Sequence, residues 1–211
     1  MTIIYQDQHI VVVDKPSGFL SVPGRGIEKI DSVAHRISIN IPGCINQPAV
    51  HRLDMDTSGL LVLALTKEAH RNLSKQFQDR LPEKEYTALL DGILSEELGN
   101  RGTITLPFRL DVENRPYQIH DEIHGKMGTS NWRRISVENG ITRIHFQPIT
   151  GRTHQLRIHS AHPKGLGLPI LDDPLYGNGQ DPGKMKLHAT KLSIDHPDTG
   201  ERLTFTSPAP F

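Results

Sequence analysis

Disulfides are the first thing this chain cannot build, because Cys44 is its one cysteine. A lone thiol excludes an internal disulfide framework and fits a reducing compartment. No apolar run approaches the roughly 20 residues that span a bilayer, so no membrane partner is expected. The opening residues, MTIIYQDQHIVVVDKP, lack a basic stretch followed by a long apolar one. No signal peptide is read there, and the expected location is the cytoplasm. Net charge is missing too, since 24 Lys and Arg balance 24 Asp and Glu. Such a chain has no general pull toward a phosphate backbone. Nucleotide loops are also absent: VPGRGIEK fits neither G-x-x-x-x-G-K-[ST] nor G-x-G-x-x-G. Ser58 sits in TSG, outside any G-x-S-x-G elbow, which speaks against a serine hydrolase. There is no internal repeat, low-complexity segment or clear linker.

What remains is enough for a packed core. The 211 residues are 36% hydrophobic and 23% charged, which predicts a globular chain with one domain over residues 1–211. Charge is segregated along it. DGILSEELGN, residues 91–100, carries only acids, whereas Arg133, Arg134, Arg143, Arg152, Arg157 and Lys164 have only Glu138 among them. That distribution, unlike the composition, points toward nucleic acid.

Periodicity predicts an α+β fold with a mostly antiparallel mixed sheet. IIYQD and HIVVVDKPSG read as short strands, the second ending in a turn where Lys15 reads as a turn lysine. DSVAHRISIN reads as a helix with Asp31 at its N-cap and Val33, Ile37 and Ile41 on one face. INQPAVHRLDMDTSG reads as a loop that becomes a strand and then a turn. LLVLAL has the continuous apolar character of a strand buried on both faces. Thr66 caps a helix over KEAHRNLSKQFQDR, with Ala69, Leu73 and Phe77 on its apolar face. KEYTALLDG and GTITLPF read as strands, with Tyr86 a strand-core tyrosine. NWRRISVENGITRIHFQPI reads as a hairpin turning at Asn139-Gly140. TGRTHQLRIHSAH reads as a turn and then a helix, and LHATKLSIDHP and RLTFTS as closing strands.

Three clusters carry possible chemistry. HRLDMDTSGLLVLAL, residues 51–65, drives His51, Arg52, Asp54 and Asp56 into an aliphatic run. An ionised carboxylate near a core needs cations or backbone donors, or it takes up a proton. Asp54 is thus either a nucleophile kept anionic by arginines or a residue capping the TSG turn, and Asp56 competes for both roles. In GRTHQLRIH, a helix would set Arg157 on the face of His154, within reach of a carboxylate from another element; a solvated basic helix is the other reading. The third candidate is a metal site formed by His51, His154, His159, His162 and His188. His154 and His159 are five apart with no glutamate between them, so the spacing predicts no metal.

HRLDMDTSGLLVLAL closely resembles the H-R-L-D-x-x-T-S-G signature of the RluA-type family of pseudouridine synthases. VVDKPSGFLSVPGR, KEYTALLDG, PITGRTHQLRIH and LHATKLSI are similar to its other motifs, in family order across nearly the whole chain. The resemblance implies a bent mixed sheet with flanking helices and a central RNA-binding cleft, with no separate N-terminal RNA-binding domain. It implies Asp54 as nucleophile, Tyr86 on the target base as the proton-transfer residue, and Arg157 as the partner of Asp54. Arg52 would enter the base stack, and Leu187 would line the pocket. His51, Arg152 and His154 would complete the substrate contacts. No cofactor is implied. The expected partner is a stem-loop of large-subunit ribosomal RNA, a transfer-RNA anticodon arm, or both, bound by a monomer. The alternative is an inactive RNA-binding or ribosome-assembly protein of the same fold.

Overall fold

Ten strands and three α-helices make up the computed structural model, which describes residues 1–211. They fall into two compact units, Met1–Lys84 with His188–Pro210, and Glu85–Leu187 with Phe211.

The first unit holds β1 (Thr2–Gln6), β2 (Ile10–Lys15), α1 (Val33–Asn40), β3 (Ser58–Ala64) and α2 (Lys67–Gln78), together with nearly all of β9 (Leu187–Asp195) and β10 (Arg202–Thr206). The pairs β1–β2, β2–β3 and β9–β10 are antiparallel, and β3–β9 is parallel. Every residue of β3 is buried, as its unbroken apolar run predicts. The face of α2 carrying Ala69 and Leu73 joins a core with Ile10, Val12, Leu60, Val62, Leu192 and Ile194. Thr66 caps α2 by accepting from the Ala69 amide at 3.1 Å. Gln76, also on the buried face, brackets Asp195 through both its backbone groups.

The second unit holds most of β4 (Glu83–Leu90), then β5 (Arg101–Leu110), β6 (Gln118–His120), β7 (Lys126–Glu138), β8 (Ile141–Pro148) and α3 (Gln155–Ala161). These strands run in the order β4-β8-β7-β5-β6, all antiparallel. Asn139 and Gly140 both take positive φ, 53° and 78°, as the predicted two-residue hairpin turn requires. Leu156 and Ile158 of α3 pack with Ile144, Phe146, Leu106 and Phe108.

Four local expectations need correction. Ser32, not Asp31, caps α1: its hydroxyl reaches the His35 amide at 3.2 Å, while Asp31, one residue too early, pairs with Arg36 instead. Ile41 lies past the end of α1 in an extended conformation. Residues 45–57 supply only an isolated bridge between Ala49 and Leu63 before β3 begins at Ser58. Pro48 sits in that stretch without an amide hydrogen, so no ladder propagates there. Helix α3 starts only at Gln155, because His154 has a left-handed backbone, φ 56°. His154 is therefore not on the helix face of Arg157. The sequence reading also lacks β6 and the first half of β7, where Gly128 and Ser130 face the core and give no apolar signal.

Gly59 sets how closely β3 approaches β9. A Cβ there would lie 2.4 Å from the Ala189 carbonyl oxygen and 2.6 Å from its nitrogen, and Gly59 has φ 107°. Backbone cannot yield as a flexible side chain can. Gly59→Ala should therefore destabilise the fold by more than about 2 kcal/mol in urea denaturation. A change below about 0.5 kcal/mol would mean that the two strands can separate freely.

Candidate active site

In the first unit, the loop from His51 to Thr57 is gripped along its backbone by the segment that follows β2. Ser21 Oγ donates to the Leu53 carbonyl at 2.7 Å and accepts from the Leu53 amide at 3.0 Å. Ser17 Oγ donates to the Asp56 carbonyl at 2.5 Å. Lys15 Nζ donates to the carbonyls of Pro16, Phe19 and Met55 at 3.0, 2.7 and 2.8 Å. The Thr57 amide closes the turn on the Asp54 carbonyl at 3.1 Å. Leu53, Met55 and Asp56 are thus each held by a separate side chain around Asp54.

Lys15 is no turn lysine. It is 0% exposed, continuing a strand whose Ile10, Val11, Val12 and Val13 are equally buried. Burial pushes its ammonium down to about 8, while the charges of Asp56 and Asp54 act against that shift. Asp56 is buried, Asp54 is half-buried and Arg52 is exposed. His51 accepts from the Val62 amide through Nε2 at 3.1 Å and stacks on Phe77 with ring centroids 4.3 Å apart. Burial, helped by the Lys84 charge, holds His51 down at about 3, so at neutral pH it is an uncharged anchor of this loop. The same unit contains a buried polar chain. Ser58 Oγ meets His188 Nδ1 at 2.8 Å, His188 Nε2 meets Ser207 Oγ at 3.2 Å, and Ser207 donates to Asp14 at 2.5 Å.

In the second unit, Tyr86 lies on β4, half-buried against the core cluster that contains Leu187. Arg157 is 2% exposed on α3. Its Nε and Nη2 donate to the two oxygens of Asp173 at 2.8 and 2.5 Å. Asp173 is fully buried and also accepts from the amides of Leu175 and Tyr176. The guanidinium carbon lies 5.3 Å from the centre of the Tyr176 ring. Tyr176 Oη accepts from the Gln118 amide at 2.8 Å and meets His154 Nδ1 at 2.9 Å, so it can donate its proton there. Gln155 holds the turn before α3: it donates to the Thr129 carbonyl and Ser130, and accepts from Thr150 and the Arg152 amide. Arg152 itself is exposed.

The sequence reading missed Lys15, Ser17, Ser21, Asp173 and Tyr176. For Lys15 a signal existed, since a lysine that extends a strand buried on both faces must be buried too. Asp173 and Tyr176 lie in DDPLYG, a stretch that no motif or periodicity singles out. No group of three or more His, Cys, Asp or Glu side chains converges as a metal site.

Arg157 and Asp173 form a bidentate pair almost wholly out of water. Removing one charge takes from the other its bidentate partner. Asp173→Asn keeps the shape, and it should cost about 3–5 kcal/mol of stability by chemical denaturation. A cost under about 1 kcal/mol, the size of a surface pair, would remove Asp173 as the residue that holds Arg157.

A family model described as RNA pseudouridylate synthase matches residues 9–162, a span that runs through both units. The protein of Haemophilus ducreyi named "Dual-specificity RNA pseudouridine synthase RluA" is 44% identical over 212 residues, covering 99% of this chain and 93% of its own. The Escherichia coli protein of that name is 43% identical over 215 residues, covering 100% and 94%. Among solved structures, "Human RNA Pseudouridylate Synthase Domain Containing 1" has a TM-score of 0.78 at 28% identity, covering 100% of this chain and 84% of that one. A second human structure, "RNA Pseudouridylate Synthase Domain Containing 4", shares the fold with a TM-score of 0.75 at 22% identity, covering 99% and 88%. The family model, the relatives and the fold agree, and the chain belongs to the RNA pseudouridylate synthase family.

Proposed function

We propose that this isomerase converts specific uridines of structured RNA to pseudouridine with Asp54 as its nucleophile. The observation that carries the assignment is the backbone grip on Leu53, Met55 and Asp56, which holds a half-buried carboxylate beside an exposed arginine at the head of a buried strand. The reaction breaks the C1′–N1 bond, turns the uracil and joins C5 to C1′, while the C5 proton is lost and N1 gains one. It is balanced without an electron or group carrier. A nucleophile for it must be ionised, fixed in place and shielded from bulk water.

Tyr86 then contacts the target base and moves the proton, and Arg157 supplies the cation for Asp54, with Asp173 setting the orientation of its fork. Arg52, which is exposed, fills the stack left by the extruded uridine and offsets a few kcal/mol of unstacking. Leu187 lines the pocket, and His51, Arg152 and His154 support RNA binding. The relatives' printed dual specificity supports more than one RNA substrate, and from the motif resemblance we take these to be a large-subunit ribosomal RNA stem-loop and a transfer-RNA anticodon arm. We read the enzyme as a cytoplasmic monomer whose two units serve one catalytic activity. No helix is long and apolar enough to cross a membrane.

Asp54→Asn removes the charge and keeps the shape. Tritium release from RNA carrying 5-tritiated uridine should fall below about a thousandth of wild type, a loss of at least about 4 kcal/mol of transition-state stabilisation. Binding to the same RNA should stay close to wild type by gel shift. Turnover that survives in this variant would move the nucleophile to Asp56.

A further inference from the structure

The basic run read from the sequence does not act as one surface. Arg157 is buried on Asp173, Lys164 pairs with Glu122, Arg134 holds Asn100, and Arg143 donates to the Phe211 carbonyl. Arg133 has no such partner, and its neighbours across the sheet make it part of a separate feature.

Side chains alternate between the two faces of each strand. On β7, Gly128, Ser130 and Trp132 are buried, so Asn131 and Arg133 take the opposite face. On β5, Ile104, Leu106 and Phe108 are buried, and Arg101 and Thr103 face away from them. On β8, Thr142, Ile144 and Phe146 are buried, and His145 and Gln147 face outward. Register then lines these residues up in two rows. Arg101 lies opposite Arg133, and Arg133 opposite His145. In the next row, Thr103 lies opposite Asn131, and Asn131 opposite Gln147. Together the rows line a groove of about 550 Å³. Tyr86 shares the other face of β4 with buried Ala88 and Leu90, so the groove and Tyr86 lie on opposite sides of this sheet.

Like charges set directly opposite across neighbouring strands repel. Arg36, Arg109, Arg157 and Arg202 each sit on a carboxylate, whereas neither Arg101 nor Arg133 does. The acid at this end, Glu85, is engaged with His145 at 2.9 Å. Thr103 donates to Asn131 Oδ1 at 2.8 Å, which turns the amide donors of Asn131 toward the groove. The groove thus pairs a row of guanidinium donors with a row of amides and a hydroxyl, about 4.8 Å from strand to strand. Phosphate oxygens match the first row, and ribose hydroxyls match the second.

We propose that this groove binds the phosphodiester backbone of RNA outside the stem-loop that carries the target uridine. Arg101 and Arg133 take phosphates, and Thr103, Asn131 and Gln147 take sugar hydroxyls and phosphate oxygens. The proposal rests on the RNA-modifying reading above and extends it to a second contact. An acidic protein would use the arginines but would leave the amide row idle.

The test compares wild type with the Arg101→Ala/Arg133→Ala pair on a minimal stem-loop and on the same stem-loop with flanking RNA. For the flanked RNA, affinity should fall on the order of tenfold and the slope of log K against log salt should flatten by roughly 1.4–1.8, the value for two lost phosphate contacts. KM should carry the loss in turnover. The corresponding double lysine variant should keep the slope, because charge sets it. Lys67→Ala, which removes an exposed cation from α2, serves as the control for general charge and should leave the slope near wild type. Thermal midpoints at or above wild type will show that the alanine pair folds. An unchanged slope in the alanine pair, or a loss matched by Lys67→Ala, overturns the proposal, including the case in which an acidic protein occupies the groove. A wild type that releases no tritium from any RNA refutes the isomerase reading instead, and the salt slopes still decide the groove.

Discussion

One buried ammonium group ties the loop around Asp54 to the core. Lys15 ends β2 with no exposure to solvent, which is costly for a charge. The cost is offset by matching three N–H donors to three backbone carbonyls and by the nearby charges of Asp54 and Asp56. Two of those carbonyls belong to the turn after β2, and the third belongs to Met55. The lysine therefore joins two segments 40 residues apart in sequence. Ser17 and Ser21 extend the same junction to Asp56 and Leu53. This explains why the chain runs a charged cluster straight into the apolar β3: the loop before that strand needs polar anchors, and the strand provides a fixed mount.

Buried histidines serve as links within the fold. The twelve histidines of the chain could suggest a metal or a pH switch. Instead, His51 accepts from a strand amide, His154 meets a tyrosine hydroxyl, and His188 links two serines. Burial holds His51 down at about 3 and His159 at about 4, and it lowers His188 as well. His159 is buried without a hydrogen-bond partner and packs edge-on against Phe108, as an aromatic ring would. An uncharged imidazole can bridge backbone and hydroxyl groups inside a fold at little desolvation cost.

Sequence pattern revealed what depends on near neighbours. The Thr66 cap, the Asn139-Gly140 turn and the buried run of β3 all follow from residues within one element or one turn. Motif order revealed the family and singled out Asp54, Tyr86 and Arg157 as site candidates. Long-range partners stayed hidden. Nothing adjacent to Arg157 marks Asp173, 16 residues on, as its carboxylate, and nothing in KPSG marks Met55 as the acceptor for Lys15. Small errors had equally local causes. Asp31 and Ser32 are both good caps, and one residue of helical phase chose the serine. The Gln155 network delayed α3 by fixing the turn before it, a contact between distant strand and helix that periodicity does not encode.

The most direct test of this account is amide hydrogen exchange in Lys15→Met, which keeps the length of the side chain and removes its charge and donors. If the ammonium holds the loop, exchange at Leu53 and Thr57 should quicken by at least about tenfold while the amides of β3 stay protected, a local opening beneath the global one. Unchanged exchange at Leu53 and Thr57 in a folded Lys15→Met would contradict it, because the loop around Asp54 would then be held without the lysine.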